Sequence, residues 1–549
     1  MKRLKMLLGM LALAAVIAAV VYWASPYAPV IEPAGDIEAL WAIEDTREES
    51  WDPLVTRLEN NGVPMGYDAA LNTFYCPLGM GNADAWPEIH LTAPDAQGVR
   101  MIFSDDYTYD WCADAIRDAY SYEVMAYTDT QYAYFYIVFT ALPQVMITSS
   151  QEITTEDSPI GIEMAAYGEE ALRTTGRIHL RGASTLLFDK RGYKMEFTRE
   201  RNGSAKKIEL NAPGFGMADD IALLPCWHDD SKIRDKLNWD LHAEIYEDGE
   251  SFGARIAEYV EVFLNDEYVG LYLMIEPVDV QEEIARSGED RLMTDSVYRT
   301  AALNFSRDRE YLMHPKRANA GYELYYAPQG AQKFAGMDAY IDLMKEEDDE
   351  EFARKALACM DMDSLINHLL FVQGAGISDN FFNNMYIWSH PTQDGVTYRF
   401  SCWDLDMAWG FEKDEIGEEF ENWLYFPIAD RMINLDVGGI RQKLYDRWQE
   451  LRATIFSEER LEERITRYQE LIGDSGALMR DAEKWQTGVG YPDGYDIVTF
   501  SGLRWPILDR AIELIATNGG APVEFLTSSH YKGMKGSTMR IALGEQTEE

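Results

Sequence analysis

Two short acidic stretches carry the residue types that a reaction would need. The first is Asp379-Asn380-Phe381-Phe382-Asn383-Asn384, and the second is Trp403-Asp404-Leu405-Asp406, followed by Met407-Ala408-Trp409-Gly410. An aspartate, an asparagine five residues on and a further aspartate about twenty-five residues later at a strand end suit phosphoryl transfer. One carboxylate can orient a hydroxyl, while the asparagine oxygen and the second carboxylate hold a divalent metal against ATP. Each segment also has a plainer alternative: Asp379 capping a loop, and Asp404 ending a strand. The conjunction favours chemistry. Both segments follow strongly apolar stretches and join elements at turns, and half-burying several carboxylates is costly without a cation.

Three further clusters accompany the pair. Arg181-Gly182-Ala183-Ser184-Thr185 ends one strand, and Lys190-Arg191-Gly192-Tyr193-Lys194 enters the next. Backbone amides of such a turn, with Arg181, Ser184 and the Lys194 ammonium, can cover nucleotide phosphates; an ordinary β-hairpin with exposed basic residues is the alternative. His228 to Asn238 begins a helix that Asp229, Asp230 or Ser231 can cap. Glu276 ends a strand and either pairs with Lys194, as a kinase glutamate pairs with its strand lysine, or faces solvent.

The elements that must position these residues are legible from periodicity. Gly176–Leu180 and Gly192–Thr198 read as strands, and Ile233, Leu237, Leu241 and Ile245 fall four apart on an amphipathic helix. Tyr259–Leu264 and Tyr268–Ile275 flank Asn265-Asp266-Glu267 as a hairpin with a short polar turn. Residues 283–330, polar and carrying Arg286, Arg291, Arg299, Arg307, Arg309 and Arg317, read as an insertion or lid. The acidic run 346–351 reads as a solvated helix start or loop. Asp363–Gly374 is a helix, Asn384–Trp388 and Thr397–Trp403 are strands, and long amphipathic helices follow Val437. Ahead of this mixed region, residues 69–148 form a β-rich module of sandwich type, with runs such as Tyr132–Phe139. Residues 25–68 read as a juxtamembrane linker with a short acidic helix over Ile37–Ser50, and 519–549 as a polar, poorly ordered tail.

The chain has 549 residues, 47% of them hydrophobic and 12% aromatic, enough for large buried cores. The formal net charge of −45 excludes a general nucleic-acid binder, because phosphate backbones need basic surfaces. An acidic surface keeps a protein soluble and also attracts basic protein substrates. Lys2, Arg3 and Lys5 precede an uncharged run from Met6 to Ala24, about 28 Å long as a helix and close to the hydrocarbon thickness. The basic flank places the remainder outside the cytoplasm. Bulky Val20-Val21-Tyr22-Trp23 favours an uncleaved anchor over residues 1–24; a cleaved signal peptide, releasing a secreted protein, is the competing reading. The five cysteines lack CxxC spacing, which argues against a zinc site; Cys76 and Cys112 pair in an external compartment, or all are buried free thiols.

Taken in order, the 181–185 turn, Lys190 through Lys194, the 229–238 helix start, the Asn265–Tyr272 hairpin, Asp379 to Asn384 and Trp403-Asp404-Leu405-Asp406 resemble the CotH family, known for spore-coat protein kinases. The likeness covers residues 158–518. It implies an α+β fold with an atypical protein-kinase-like domain, preceded by the β-rich module and the transmembrane helix. It also implies ATP- and Mg²⁺- or Mn²⁺-dependent phosphorylation of protein Ser/Thr. By position, Lys194 contacts ATP phosphates under the 181–185 turn, Asp379 is the catalytic aspartate, and Asn384 with Asp404 or Asp406 binds metal, Asp406 being slightly preferred. The chain departs from the family at Leu186-Leu187-Phe188-Asp189, which is less basic and lacks a proline before the lysines. A spore-coat role does not follow from the likeness. The rival expectations are a cell-surface adhesion or structural protein with an inactive kinase-like domain, and a hydrolase using Asp379 and Asp404 as acid and base.

Overall fold

The computed structural model describes residues 31–32, 37–79, 91–96, 98–104, 112–182, 185–199, 206–246, 255–278, 294–300, 322–377, 380–381, 383–393, 395–412, 415–416, 422–424, 426–487, 495–517, 525–527 and 538–541. The expected anchor at 1–24 lies outside them. Among the described residues, no helix is long and apolar enough to cross a membrane. The chain is a mixed α+β protein that divides into two compact units, one of Met1–Pro225, Glu258–Met274 and Glu470–Val489, the other of Cys226–Ala257, Ile275–Gln469 and Gly490–Glu549. These units cut across the boundaries expected at 148 and 158.

In the first unit, alternation builds the β-rich module. Along Gln131–Thr140, residues Phe135, Ile137 and Phe139 turn into a core shared with Phe74, Tyr122 and Val124. The sheet has seven strands and is mixed: Gln131–Thr140 runs antiparallel to Ser121–Tyr127 but parallel to Thr73–Pro77. The described parts of the expected 25–68 linker, residues 31–32 and 37–68, belong to this module. Its helix spans Ile37–Glu44, shorter than expected, and Leu40 packs with Ile102, Met125 and Tyr127. Val55, Leu58 and Met65 join the main core, so a segment whose polar residues suggested a linker is held by its few apolar ones. Cys76, Cys226 and Cys402 are buried and free and Cys359 is free and half-buried, which agrees with the free-thiol alternative for these four and not with a Cys76–Cys112 pair.

The same unit holds a closed barrel of seven strands: β1 (Gln144–Ser149), β2 (Ser158–Ala165), β3 (Leu172–Arg181), β4 (Gly192–Thr198), β5 (Asp220–Leu224), β6 (Ala257–Leu264) and β7 (Tyr268–Ile275). The order is β1-β2-β3-β4-β5-β7-β6, closed by parallel pairing of β6 with β1. Ile160, Ile162 and Met164 alternate into its core with Ile178, Met195 and Tyr272. Asn265 and Asp266, at φ 52° and 59°, turn β6 into β7, a mirror-image turn that matches strand twist.

A helix absent from the sequence reading, Ala477–Trp485, docks on this barrel through buried ions. Asp481 Oδ1 accepts from Lys190 Nζ at 2.6 Å and from the Leu271 N–H at 2.9 Å. Arg480 meets fully buried Glu261 at 2.8 Å. Gly270 sits at φ +122°, and a Cβ there would lie 2.2 Å from Asp481 Oδ1, so both the backbone angle and the close approach demand glycine.

The second unit is built on a four-stranded antiparallel sheet, ordered β9-β8-β10-β11, from β8 (Ser296–Thr300), β9 (Tyr322–Tyr326), β10 (Met385–Thr392) and β11 (Gly395–Cys402). The expected insertion at 283–330 therefore supplies two sheet strands; of its arginines, Arg299 is described and pairs with Glu323 at 2.7 Å, while the other five lie outside the described residues. The acidic run opens a helix, with the Asp348 carboxylate accepting from the Glu351 N–H. Two helices matter for the site: α1 (Arg234–Ile245) and α2 (Met362–Ala375). Two segments of the expected tail, Phe525–Thr527 and Thr538–Ile541, pair in a small sheet with Asn422–Leu424, so the tail is not structureless there.

Candidate functional site

The two acidic stretches meet at one end of a hairpin. β10 begins at Met385 and β11 ends at Cys402, and these residues are register partners. Asn384 and Asp404, twenty apart in sequence, therefore emerge side by side: Trp403 N–H donates to Asn384 O at 3.0 Å, and Asn384 Nδ2 lies 3.5 Å from Asp404 Oδ2. Both residues are in the left-handed region, at φ 55° and 61°. Asn and Asp tolerate it, and holding two neighbours there takes surrounding support.

That support comes from below. Asn380 is fully buried, and its Nδ2 donates to Trp403 O at 3.0 Å, tying the first stretch to the second. From α1, Asp235 Oδ1 accepts from the Leu405 N–H at 3.2 Å, and Asn238 Nδ2 donates to Leu405 O at 2.7 Å. Asn238 Oδ1 also accepts from Trp409 Nε1 at 3.0 Å, while Arg234 Nε donates to Ala408 O at 3.3 Å. Leu405 and Trp409 are buried, Asp404 is exposed and Asp406 is half-buried, so the alternation of this segment presents one carboxylate to solvent on a fixed backbone.

The polar residues of α1 are thus spent inside the unit. Arg234, Asp235, Lys236, Asn238 and His242 are buried along with Leu237, Leu241 and Ile245, which corrects the expected amphipathic helix: apolar periodicity marks one face, while the opposite face binds the 404–409 backbone. The cap residue is Ile233, and the acceptor for the Arg234 N–H is Asp229 Oδ2 at 2.9 Å. Burial pushes the Asp229 carboxyl up, but the Arg234 guanidinium at 2.6 Å and the Ser231 hydroxyl outweigh it and hold the group below its ordinary range. Above the turn, α2 ends at Gly376 in the left-handed conformation at φ +65°, where a Cβ would lie 2.8 Å from the Phe500 ring, and the chain passes through buried Ile377 to Asn380.

Asn384 and Asp404 offer amide and carboxylate oxygens, the hard donors that suit Mg²⁺ or Mn²⁺, whose remaining positions are ordinarily taken by water and phosphate. Turning the Asn384 amide over presents its oxygen beside the Asp404 carboxylate. Among the described residues, no group of three or more His, Cys, Asp or Glu forms a cluster fit to hold a metal. Asp379 and Ser184 lie outside the described residues.

The basic turn is built in the first unit. Arg181 O accepts from Thr185 Oγ1 at 2.9 Å, and Thr185–Leu187 form a short 3₁₀ turn. Lys194 Nζ lies 2.9 Å from Asp220 Oδ2 on neighbouring β5, and Lys207 shares that carboxylate at 3.0 Å. The carboxylate that meets Lys194 is thus an aspartate of the same barrel. Glu276 is assigned to the second unit and is buried, which overturns its reading as a solvent-facing strand end; its N–H donates to Ile256 O at 3.4 Å. Lys190, immediately before Arg191, is wholly buried and serves the helix dock described above.

Sequence reasoning missed Asn380, Asp235 and Asn238. Only Asn238, between Leu237 and Trp239, stood out; Asp235 lies between Arg234 and Lys236 and Asn380 beside Asp379, so neither was distinguished from its polar neighbours. A family model described as CotH kinase protein matches residues 178–493, from within β3 to beyond the docked helix. No curated protein matches the chain.

Proposed function

Because the chain belongs to the CotH kinase protein family, we propose that it transfers the γ-phosphoryl group of ATP to Ser/Thr hydroxyls of a protein, with the 379–384 and 403–406 turns as the reacting site. The observation that carries this reading is the Asn384–Asp404 pair, two hard oxygen donors brought together at the open end of a hairpin. In this reading Asn384 and Asp404 hold Mg²⁺ or Mn²⁺, with Asp406 beside them. The metal supplies neutralisation of phosphate charge. Asp379, at the start of the same stretch, orients the attacking hydroxyl and accepts its proton. Asn380, Asp235 and Asn238 fix the backbone that carries these groups, which is how phosphoryl transfer is mainly catalysed, by positioning and electrostatics. Lys194, Arg181 and Ser184 meet phosphate charge, with Asp220 keeping the Lys194 ammonium in place.

We also propose that residues 1–24 anchor the protein in a membrane with the remainder outside the cytoplasm, on the strength of the basic flank before an uncharged run of spanning length. The acidic surface suits a basic protein substrate. Purified residues 25–549 are expected to incorporate label from γ-labelled ATP into themselves or a Ser-rich basic protein when Mg²⁺ or Mn²⁺ is present. Asp379→Ala should abolish incorporation while the circular dichroism spectrum is kept. Nucleotide binding that neither stabilises the protein nor depends on metal counts against the reading and favours an inactive binding protein.

A further inference from the structure

Directly under the turns, α1 and α2 meet across a seam whose polar groups lack well-formed hydrogen bonds. His242 on α1 and His368 on α2 are both wholly buried, and none of their four ring nitrogens has a well-formed hydrogen bond, the Asn380 backbone being the one polar group set against His368. Trp239 Nε1, Tyr246 Oη and Asn380 Oδ1 are in the same condition. Two groups of rings line it, and His368 is near enough to act on the His242 charge: in the first group, His242 lies 5.7 Å from Trp239, 4.6 Å from Tyr246 and 5.1 Å from Phe371, and Trp239 lies 5.7 Å from Trp403. His368 lies 5.7 Å from Phe381, 6.0 Å from Phe400 and 6.3 Å from Phe426. The seam therefore touches both stretches of the proposed site, through Phe381 and Asn380 on one side and Trp403 on the other.

The charged and titratable groups facing this seam disfavour a proton on it. His242 is acted on by His368 and by buried Arg255, which also lies 6.0 Å from the Trp403 ring. His368 has in its favour only the backbone at Asn380. Cys402 of β11, Asp361 at the start of α2 and Arg447 act on Tyr246, and Asp361 is already engaged by Arg399 at 2.8 Å. Burial, the first cause for each ring, pushes both imidazoles down to about 3.

We propose that His242 and His368 form an acid-sensitive latch between α1 and α2. With both rings neutral, the helices stay packed and hold Asn238, Asp235 and Asn380 against the 403–406 backbone. A proton from solvent on either ring has no carboxylate to meet, so it is accommodated by opening the seam, which frees the turns. Protonation is then coupled to the site without touching any proposed metal ligand.

The test is hydrogen exchange of the full chain, followed by mass spectrometry and corrected for intrinsic rates. Between pH 7.5 and 5.5, opening of α1 and α2 should rise about tenfold for each histidine that protonates on opening, near a hundredfold for both. His242→Phe/His368→Phe should remove that rise, and each single variant should keep half of it on a logarithmic scale. A wild-type seam whose exchange does not change with pH, or a double variant that keeps the rise, overturns the proposal. Should the double variant fail to fold, histidine-labelled wild type decides: two rings that titrate near pH 6.5 with α1 and α2 still closed overturn it. Mn²⁺ binding followed on the same samples should fall in parallel. That readout alone rests on the metal reading, so absence of Mn²⁺ binding at every pH counts against the site and leaves the exchange result to judge the latch.

Discussion

The helix docked on the barrel and the seam under the turns both bury polar side chains, in opposite ways. On the barrel, each buried ion has its counter-charge: Lys190 has Asp481 at 2.6 Å, and Arg480 has Glu261, which also accepts from Tyr268 Oη at 3.0 Å. In the seam, two histidines, a tyrosine hydroxyl and a tryptophan N–H are buried without a counter-charge, and only His368 has polar support, from the Asn380 backbone. Paired buried ions are costly to break and indifferent to mild acid, since neither partner need change its charge. Neutral buried histidines are the reverse: they pack well at pH 7.5 and fail when protons become available. The barrel dock is thus a fixed joint, and the seam a conditional one.

Breaking the fixed joint should have the largest effect. Asp481→Ala leaves the Lys190 ammonium buried with the Leu271 carbonyl, and about 3–5 kcal/mol of stability should be lost in urea unfolding. Lys190→Met/Asp481→Leu should recover most of it, because removing both charges removes the desolvation cost as well. A single loss that the double variant does not restore would mean that the joint is held by shape alone.

The conditional joint should respond next, and to pH. Each histidine binds a proton below about 6.5 when unfolded and holds none until about 3 when folded, so the unfolded state takes up more protons as pH falls and stability declines through that window. From pH 7.5 to 5.5 the two together should cost about 3 kcal/mol. Asp430 in the same unit opposes this. Burial raises its carboxyl to about 7, against hydrogen bonds from Trp423 and Phe426, so its neutral form stabilises the fold as pH falls toward 5.5. Asp430→Asn should therefore steepen the acid loss, and His242→Phe/His368→Phe should flatten or reverse it, both read from denaturation midpoints across pH. Equal slopes in all three proteins would contradict the contrast.

The smallest effect sharpens the link from seam to site. Asn238→Ala removes the hydrogen bonds to Leu405 O and from Trp409 Nε1 and should cost about 2 kcal/mol. Mn²⁺ affinity should fall with it, whereas Asp481→Ala should leave the affinity of the folded protein unchanged.

The sequence disclosed what local pattern encodes. The β6–β7 hairpin follows from two apolar runs around Asn265-Asp266, and the order of motifs is enough to expose the family. The pairing that closes the barrel was not legible, since β6 meets β1 across more than a hundred residues and no local periodicity reports a parallel partner. The linker at 25–68 and the helix Ala477–Trp485 were misread or missed for one reason: each is held by a few buried side chains set among many charged ones. At the site, Asn384 and Asp404 were visible as chemistry, because acidic and amide residues after apolar runs are conspicuous. The dependence of both on Asn380, Asp235 and Asn238 was not, since a buried hydrogen bond to a distant backbone leaves no spacing behind.

The most direct test of the proposed site is a Mn²⁺ titration of the purified protein at pH 7.5, followed by electron paramagnetic resonance, with wild type, Asn384→Ala and Asp404→Asn compared side by side. Wild type should bind Mn²⁺, and ATP should strengthen that binding. Each substitution should weaken it at least tenfold with the circular dichroism spectrum unchanged. Binding of equal strength in all three proteins, with or without ATP, would contradict the assignment of this turn as the metal site.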